Sequence, residues 1–546
     1  MLNIHQKYCK ETFFDGKLDR FEAVYDDKFN FAYDVLDVIA KEEPWRRAML
    51  WCNEAGEEHT YSFSDMSKYS NMAANFFAAH GIGRGDRVML ILKRHYQFWF
   101  ALLGLHKLGA IGIPATNQLT KKDIAYRCNA AGVKAVICTM DGEVAQHVDA
   151  AMPESSTVEK LFSVHGEREG WINFDAEFKN YPNTLERVET KAADPMLIYF
   201  TSGTTGMPKM VSHDFSYPIA HIITAKYWQK VVPDGLHLTI SDTGWMKSMW
   251  GKLYGQWFME AGIFVCDFER FHAPYVLNLF SKYKITTFCA PPTMYRFFIK
   301  EDLSAYDLSS LTHACIAGEP LNPEVYYQFY KATGLKLMEG FGQSETTLLL
   351  FNPVGSEPKP GSTGKPSPAY DMDLVDENGN SVPAGTVGEI VIRTDKGKPC
   401  GLFSGYYLNK ELTEEVWHDN IYHTGDTAWV DEDGYYWYVG RTDDIIKSSG
   451  YRIGPFEIES VLMEHPCTLE CAITGVPDPI RGQVIKATIV LAKGYEPSEE
   501  LKKELQDYVK KQTAPYKYPR VVEFVEELPK TISGKIRRVQ IRGDEK

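Results

Sequence analysis

The stretch YFTSGTTGMPKMV, which runs from Tyr199 to Val211, combines glycine, serine and threonine with a single lysine. Glycine lets backbone N–H groups approach phosphate oxygens, and hydroxyl and ammonium groups add further donors. The composition therefore predicts phosphate binding, although it is also typical of a flexible surface loop. The residues that we expect to contact phosphate are Thr201, Ser202, Gly203, Thr204, Thr205, Gly206 and Lys209.

The spacing within this stretch argues against a Walker-type NTPase. GxxxxGK[ST] places four residues between its glycines and a lysine directly after the second. Here two residues separate Gly203 from Gly206, and Met207 and Pro208 precede Lys209. The loop therefore predicts phosphate chemistry of another kind.

Helix and strand patterns alternate in the chain before this loop. FSDMSKYSNMAANFFAAHGIG predicts an amphipathic helix that Gly81 ends, and DRVMLIL predicts a buried strand. HYQFWFALLGLHKLGA then predicts a helix and IGIPA a strand, and KDIAYRCNAAGV with KAVIC repeats the order. Such an alternation predicts an α/β fold with a mainly parallel sheet that helices cover on both faces.

Two further regions follow. From about Gly361, turns at Asn378-Gly379 and Asp433-Gly434 lie between strand-like runs and predict a smaller β unit. Beyond Arg441, two helix patterns and three strand patterns predict a compact α+β module. We therefore expect a large domain over 1–441, a hinge at 442–444 and a small domain over 445–546.

Composition limits the classes of function. The 546 residues carry a net charge of −14, which argues against nucleic acid as the main partner. The ten cysteines include no CxxC pair, the N-terminus has no apolar signal core, and no apolar run reaches the ~18 residues of a membrane span. These features predict a soluble cytoplasmic protein with reduced thiols and no integral membrane segment.

Five ordered motifs together resemble those of the adenylate-forming enzymes, which include acyl-CoA synthetases, luciferases and peptide-synthetase adenylation domains. They are the TSGTTGMPK loop, AGEPL (317–321), EGFGQSETT (339–347) and a long run from Tyr422 to Glu459, followed near the C-terminus by PKTISGKIRR (529–538). TISDTGWMKSMWGKLYGQW, SSGYRIGPFEIE, PDPIRGQVIKA and TAPYKYPR look most like medium-chain acyl-CoA synthetases and their acetyl-CoA synthetase relatives.

The resemblance implies a ligase with two half-reactions. A carboxylic acid reacts with ATP to give an acyl-adenylate and pyrophosphate, and CoA then gives the thioester and AMP. It also implies Mg²⁺ as cofactor and a fold in which a small α+β domain moves against a large one built of α/β subdomains and a β subdomain. The oligomeric state, monomer or homodimer, is left open.

The resemblance also implies roles for single residues. Lys535 would bridge the carboxylate and the phosphoryl oxygen, Glu345 would bind Mg²⁺, and the Ser344 hydroxyl would contact the acyl carboxylate. Asp426 would accept hydrogen bonds from the ribose hydroxyls, with Arg441 nearby. Taken alone, PKTISGKIRR is more typical of an exposed basic tail. The other nucleotide contacts that we expect are Gln118, Gly318, Glu319, Pro320, Glu339, Gly340, Phe341, Gly342, Gln343 and Arg452.

For the second step, the resemblance implies that the small domain rotates about Asp443, so that Lys535 departs and SSGYR arrives. Gly450 would leave room for the pantetheine chain, because glycine permits close approach. The residues expected to contact CoA are Ser449, Gly450, Tyr451, Arg481, Lys510, Tyr518, Pro519 and Arg520.

The acyl pocket is expected to be apolar, lined by Trp245, Met246, Met249 and Trp250, with Trp257 in the same segment. Residues 312–347 contain no Trp of the kind that closes the pocket in acetate-specific relatives, which favours a medium, branched or aromatic acid. An acetate or propionate ligase and a non-catalytic nucleotide sensor remain as alternatives. A serine hydrolase is disfavoured because GQSET lacks the second glycine of GxSxG, and a metal hydrolase because HExxH is absent.

Overall fold

The computed structural model describes residues 1–201, 207–319, 321–449, 451–531 and 535–543. Seven of the residues predicted to bind ligands therefore lie outside the described residues: Ser202, Gly203, Thr204, Thr205, Gly206, Pro320 and Gly450.

A seven-stranded sheet holds the phosphate-loop motif at one edge. All neighbouring strands are parallel except the edge strand after the loop. In spatial order the strands are Lys209–Asp214, Pro195–Thr201, Ile111–Pro114, Arg87–Ile91, Ala135–Thr139, Lys160–Val164 and Ile172–Asn173. The described strands on either side of the phosphate-loop motif, Pro195–Thr201 and Lys209–Asp214, are thus antiparallel neighbours.

A second, nine-stranded sheet is parallel through its centre and antiparallel at both edges. In spatial order its strands are Lys365–Pro366, Leu348–Phe351, Leu337–Gly342, His313–Ala317, Thr287–Ala290, Leu236–Thr239, Gly262–Asp267, Arg47–Asn53 and Glu58–Ser62. The alternation of helices and strands predicted the parallel arrangement but not its division into two sheets, because local periodicity does not tell which strands pair.

The predicted β unit is a five-stranded antiparallel sheet, and both predicted hairpins are present. Asp371–Val375 pairs with Gly388–Arg393, and Ile421–Val430 pairs with Tyr436–Arg441 across the turn at Gly434, whose φ is +80°. The fifth strand is Trp417–His418. A separate two-stranded hairpin near the N-terminus consists of Cys9–Phe14 and Lys17–Ala23.

The C-terminal module has its own five-stranded sheet, made of Tyr451–Ile453, Ile446–Ser448, Gly482–Leu491, Thr468–Asp478 and Val521–Val525. Its hydrophobic cluster includes Ile458, Leu462 and Leu505, which the two long helices of the module supply. Residues 442–445 lie between the last strand of the β unit and the first strand of this sheet. The change of sheet supports a hinge at this position.

The α-helices start and end largely where local signals place them. Phe63–Ala79 begins with a reciprocal capping box between Ser62 and Asp65, and Gln97–Leu108 ends at Gly109, whose φ is +70°. The other helices are Val38–Glu42, Lys121–Ala131, Val144–Ala151, Phe174–Glu177, Tyr217–Ile223, Lys247–Gly251, Tyr254–Phe258, Ala273–Tyr283, Pro292–Phe298, Pro323–Thr333, Lys410–Val416, Pro455–Glu464, Glu499–Gln512 and Arg538–Gly543. Within the described residues, none of these helices is long and apolar enough to cross a membrane.

Candidate active site

Asp426 lies at the centre of the candidate nucleotide site. It is 4% exposed and accepts hydrogen bonds from the Gln343 amide and from the Tyr438 hydroxyl, the latter at 2.9 Å. Arg441, its neighbour across the antiparallel pair, places Nη1 3.6 Å from the same carboxylate. Burial raises the pKa of Asp426, while Arg441 and the charge of Lys535 act in the opposite direction. A buried carboxylate with this many donors is a rigid hydrogen-bond acceptor.

Gln343 is held by the same part of the β unit. Its Nε2 also donates to the Thr424 carbonyl at 2.8 Å, and its Oε1 accepts from the Tyr422 hydroxyl at 2.9 Å. The segment EGFGQ therefore reaches from the nine-stranded sheet to the strand that carries Asp426. This contact brings the two expected nucleotide motifs together.

Glu345 lies beside Lys209 of the phosphate-loop motif. The Tyr406 hydroxyl donates to Glu345 Oε1 at 2.9 Å, and Lys209 Nζ lies 5.2 Å from the centre of the Tyr406 ring. Burial, followed by the nearby Glu345 carboxylate, raises the pKa of Tyr406, so the phenol remains a donor. The second oxygen of the half-buried Glu345 carboxylate is suited to a hard cation such as Mg²⁺.

Ser344 and the strand Leu337–Gly342 before it lead into Glu345. The Ser344 carbonyl lies 2.6 Å from His213 Nε2, and burial lowers the pKa of His213 to about 4, so that the neutral ring donates. Glu339 is buried, and burial raises its pKa well above the usual range. Side chains are excluded at Gly340 and Gly342, where an added Cβ would lie 2.6 Å from the Trp228 ring and 2.3 Å from the Thr347 carbonyl oxygen.

Phe341 and Tyr438 form an aromatic pair next to Asp426, with ring centres 5.6 Å apart. Such a pair offers an apolar surface to a planar base. Phe341 is half-buried, which leaves part of its ring available to a ligand.

Lys535 is exposed, and its charge acts on Asp426 and on Lys247. Its backbone is hydrogen-bonded to Thr531, whose N–H donates to the Lys535 carbonyl at 2.8 Å and whose hydroxyl accepts from the Lys535 N–H at 3.1 Å. The charge of Lys535 on the small module therefore acts on the expected ribose ligand of the large domain.

Lys247 was missed by the sequence reasoning. Its Nζ donates to the Ala317 carbonyl at 2.5 Å and lies 5.8 Å from the centre of the Trp250 ring. Burial lowers its pKa. An added Cβ at Gly318, which has a φ of +109°, would lie 3.0 Å from Nζ. One charged residue inside the apolar run GWMKSMW was the signal that could have pointed to it.

The expected acyl-pocket residues divide into two groups. Met249 and Trp250 are buried, and the Trp250 ring packs 5.6 Å from that of Trp228, whereas Trp245 and Met246 remain partly exposed. Trp257 instead belongs to the core, where its Nε1 donates to the Ala48 carbonyl at 3.1 Å.

The expected CoA residues cluster on the small module. The Ser449 N–H donates to the Arg481 carbonyl at 2.9 Å, and Arg520 Nη1 donates to the Tyr518 hydroxyl at 2.7 Å, with Lys510 Nζ 5.4 Å from that ring's centre. Tyr451 is 49% exposed and Pro519 is buried. Among the described residues, no hydrogen bond or ion pair joins this group to Asp426 or Glu345.

The remaining expected residues lie around the site without a common contact. Arg452 pairs with Glu377 of the β unit, Glu319 accepts from the Thr293 hydroxyl at 3.0 Å, and Asp443 lies 3.7 Å from Arg441 Nε. The remaining two are Gln118, which is exposed, and Thr201, which ends its strand half-buried.

Comparison with known proteins gives matches over almost the whole chain. Residues 36–407 match the family model described as AMP-binding enzyme, and residues 457–535 match the AMP-binding enzyme C-terminal domain. The mouse (Mus musculus) protein "Acyl-coenzyme A synthetase ACSM3, mitochondrial" is 44% identical over 96% of this chain and 92% of its own length. Human (Homo sapiens) "Acyl-coenzyme A synthetase ACSM5, mitochondrial" is also 44% identical, over 95% and 90%.

Solved structures agree with these matches. The anthranilate CoA ligase AuaEII in complex with anthranoyl-AMP aligns with a TM-score of 0.85 and 29% identity, covering 95% of this chain and 98% of its own. A benzoate CoA ligase from Burkholderia xenovorans LB400 aligns with a TM-score of 0.79 and 25% identity, over 94% and 100%. The expected fold, with a large N-terminal and a small C-terminal domain, is confirmed.

The expected cytoplasmic location is wrong, because the matched curated relatives are named as mitochondrial proteins. All ten cysteines are unpaired in the structure, as predicted. Free thiols do not distinguish the cytoplasm from other reducing compartments.

Proposed function

This chain belongs to the AMP-binding enzyme family, and on that premise we propose that it is an ATP-dependent acyl-CoA synthetase for a medium-length, branched or aromatic carboxylic acid. The observation that carries the proposal is that residues of several motifs surround one buried carboxylate: Gln343, Tyr438 and Arg441 contact Asp426, and Tyr406 contacts both Glu345 and Lys209. The charge of Lys535 also acts on Asp426.

In the proposed first step, a carboxylate oxygen of the acid attacks the α-phosphorus of ATP and the bond to pyrophosphate breaks. Two anions must meet, so positive charge has to be positioned before the reaction. Lys535 would donate to the carboxylate and to an α-phosphoryl oxygen, and Lys209 would contact the phosphates. Asp426 would accept from the ribose hydroxyls, and Phe341 would cover one face of adenine.

The residues present fit Mg²⁺, because one oxygen of the half-buried Glu345 carboxylate is fixed by Tyr406 and the other is available. When bound, the ion would neutralise phosphate charge. Tyr406 orients the carboxylate and packs against the Lys209 ammonium group, so both charges have a fixed position relative to each other.

In the proposed second step, the CoA sulfur attacks the acyl carbon of the adenylate and AMP leaves. The proposed CoA residues are grouped on the small module around Ser449 and Tyr518, and within the described part of the chain they make no hydrogen bond or ion pair with Asp426. We therefore propose that residues 445–546 rotate as one domain about 442–444, with Asp443 as the pivot, against the domain 1–441.

The proposed acid class is supported by the partly exposed Trp245 and Met246 next to the buried Met249 and Trp250. Apolar walls favour an apolar acyl group. An acetate or propionate ligase is less well supported, because residues 312–347 supply no Trp to shorten the pocket. A non-catalytic sensor is less well supported because both Lys535 and Glu345 are present.

The proposal is tested by measuring AMP release from ATP with C2 to C12 and aromatic acids, with and without CoA. We expect acid-dependent turnover that needs CoA for repeated cycles and is greatest for acids longer than propionate. Turnover restricted to acetate and propionate would favour the short-chain ligase. Nucleotide binding without turnover of any acid in the panel would favour the sensor and reject the enzymatic proposal.

A further inference from the structure

A group of polar side chains outside the candidate active site lies where the two large sheets meet. His95, Asp141 and His165 each offer one ligand atom, and these atoms lie within 4.8 Å of one another. They follow the strands Arg87–Ile91, Ala135–Thr139 and Lys160–Val164, whose carboxyl ends lie at the same edge of the seven-stranded sheet. The segments that follow three neighbouring parallel strands therefore place the two imidazoles and the carboxylate close together.

The orientation of His95 leaves one ring nitrogen facing the other two ligands. Its Nδ1 lies 2.9 Å from the Asp267 carboxylate, at the end of a strand of the nine-stranded sheet, and its Nε2 lies 3.2 Å from Asp141 Oδ2. A carboxylate that accepts the N–H on one side of an imidazole fixes the lone pair on the other side, as in carboxylate–histidine–metal arrangements. The Nε2 lone pair and the Asp141 oxygen are both acceptors, so a cation between them would satisfy both. The Thr139 hydroxyl, whose Oγ1 lies 2.9 Å from Nε2, is the other group that can donate to this lone pair.

The third proposed ligand, His165, has an unusual backbone conformation. His165 has a φ of +61°, a left-handed conformation that non-glycine residues seldom adopt, and its N–H donates to Asp175 Oδ2 at 2.8 Å. Its ring stacks on that of His95, with centres 3.8 Å apart, and its Nδ1 lies 3.9 Å from Asp141 Oδ2. Ligand atoms of a tetrahedral zinc ion are about 3.4 Å apart. Zinc binding would therefore require the His165 ring, which is stacked on His95 and has a side chain 28% exposed, to shift until the ligand atoms approach this separation.

The charges around the cluster favour a cation. Lys93 contacts Glu269 and lies 3.7 Å from Asp141, and Arg94 Nε lies 3.5 Å from Asp267. Even when Lys252, which interacts with Asp242 and Asp267, is counted with these cations, the carboxylates outnumber them while both imidazoles are neutral. The carboxylates are Asp141, Asp175, Asp242, Asp267 and Glu269. A divalent ion would reduce the excess of negative charge, and the 40% exposure of Asp141 leaves it an entry path.

We propose that His95, Asp141 and His165 form a binding site for a divalent transition-metal ion of the zinc type, with Asp267 as the carboxylate that orients His95. Two imidazoles and one carboxylate suit zinc, with a water molecule as the fourth ligand. The site connects the two large sheets through His95 and Asp267. Among the described residues, no hydrogen bond or ion pair links the cluster to Asp426 or Glu345, so it is distinct from the proposed magnesium position.

The experiment uses the full chain without ATP, treated with chelator and titrated with Co²⁺ alone as a spectroscopic probe and then with Zn²⁺. We expect one Co²⁺ per chain with the visible absorption of a four- or five-coordinate ion, and Zn²⁺ should displace it. His165→Ala and Asp141→Asn should each weaken binding at least ~10-fold, since even outer-shell changes cost about 10–100-fold. Both side chains are partly exposed, so we expect the variants to fold.

The matched control is His147→Ala, which removes an imidazole from the neighbouring helix Val144–Ala151 and should leave Co²⁺ binding unchanged. Asp267→Asn provides a second test, because it should weaken binding without removing a ligand. If the wild-type chain gives no Co²⁺ spectrum at stoichiometric concentrations, a proton on His95 supplies the charge and the proposal is wrong. Wild-type affinity in His165→Ala would overturn it equally.

Discussion

At the scale of single residues, Asp426 shows how the fold keeps a carboxylate available in its interior. Burial raises its pKa, yet the Gln343 amide, the Tyr438 hydroxyl and the Arg441 guanidinium surround it with donors. Buried charges persist only when they are paired and hydrogen-bonded. The side chain is therefore held in one orientation before any ligand arrives.

We predict that Asp426→Asn raises the KM for ATP by about 10–100-fold, which corresponds to the ~1.5–3 kcal/mol of a charged hydrogen bond. The amide keeps the size of the side chain but replaces one acceptor with a donor, so it cannot accept from both ribose hydroxyls while facing Gln343 and Tyr438. Steady-state kinetics with ATP as the varied substrate would measure the change. An unaltered KM for ATP would remove Asp426 from the nucleotide site.

A control for this substitution is Asp433→Asn, at an exposed turn of the same β unit. Asp433 pairs with Lys359 at 2.6 Å but is 70% exposed, and pairs of this kind contribute little. This variant should keep the wild-type KM for ATP.

The identities of Lys535, Glu345 and Asp426 were available from the sequence because each lies in a motif that resembles a known family. The side chains that contact such residues could not be identified from the sequence. Tyr406 donates to Glu345 from 61 residues away, and Lys247 is brought to Ala317 across 70 residues. No local pattern marks such side chains, because their positions depend on how the sheets pair.

At the scale of elements, periodicity and turn chemistry located most helices and strands. The capping box at Ser62 and the Asn378-Gly379 and Asp433-Gly434 turns mark their elements by local chemistry alone. The division of the α/β body into sheets of seven and nine strands was not predicted. Strand order is a long-range property, and the buried strands share the same apolar composition.

The helix Gln97–Leu108 carries a titratable group in an apolar setting, since His106 is fully buried and neither ring nitrogen makes a hydrogen bond within the described residues. Burial lowers its pKa to about 3. Between that value and the ordinary value of 6.5, the unfolded chain binds a proton that the folded chain does not, so stability falls as pH falls through this window.

We predict that protonation of His106 in the unfolded chain alone lowers the free energy of unfolding by about 1.4 kcal/mol when the pH falls from 7.5 to 5.5. His106→Leu, which is similar in volume and does not titrate, should show a correspondingly smaller loss in urea unfolding at the two pH values. The exposed His418→Leu should keep the wild-type difference. A pH dependence of His106→Leu equal to that of the wild type would show that the ring accepts a proton in the folded state.

At the scale of the whole molecule, the small module rests on the large domain through few polar contacts. Asn322 Nδ2 donates to the Ser460 carbonyl at 3.3 Å, Arg452 pairs with Glu377, and the Tyr438 and Phe456 rings lie 6.5 Å apart. Exposed pairs of this kind contribute little stability. The interface is therefore suited to a domain that leaves its position, and no sequence pattern indicated which position the structure would have.

The measurement that tests the central claim most directly follows the two half-reactions of Lys535→Ala separately. Pyrophosphate release from ATP and acid reports the first step, and thioester formation from supplied acyl-adenylate and CoA reports the second. Lys530→Ala is the matched control, since Lys530 lies on the same segment but pairs with Glu470 of the small module at 2.7 Å.

We predict that Lys535→Ala lowers adenylate formation by roughly 10²–10³-fold, the typical cost of removing one transition-state donor, and leaves thioester formation near the wild-type rate. Lys530→Ala should retain both steps. An equal loss in both half-reactions of Lys535→Ala would contradict the account, because the ammonium group would then act in one fixed arrangement of the two domains.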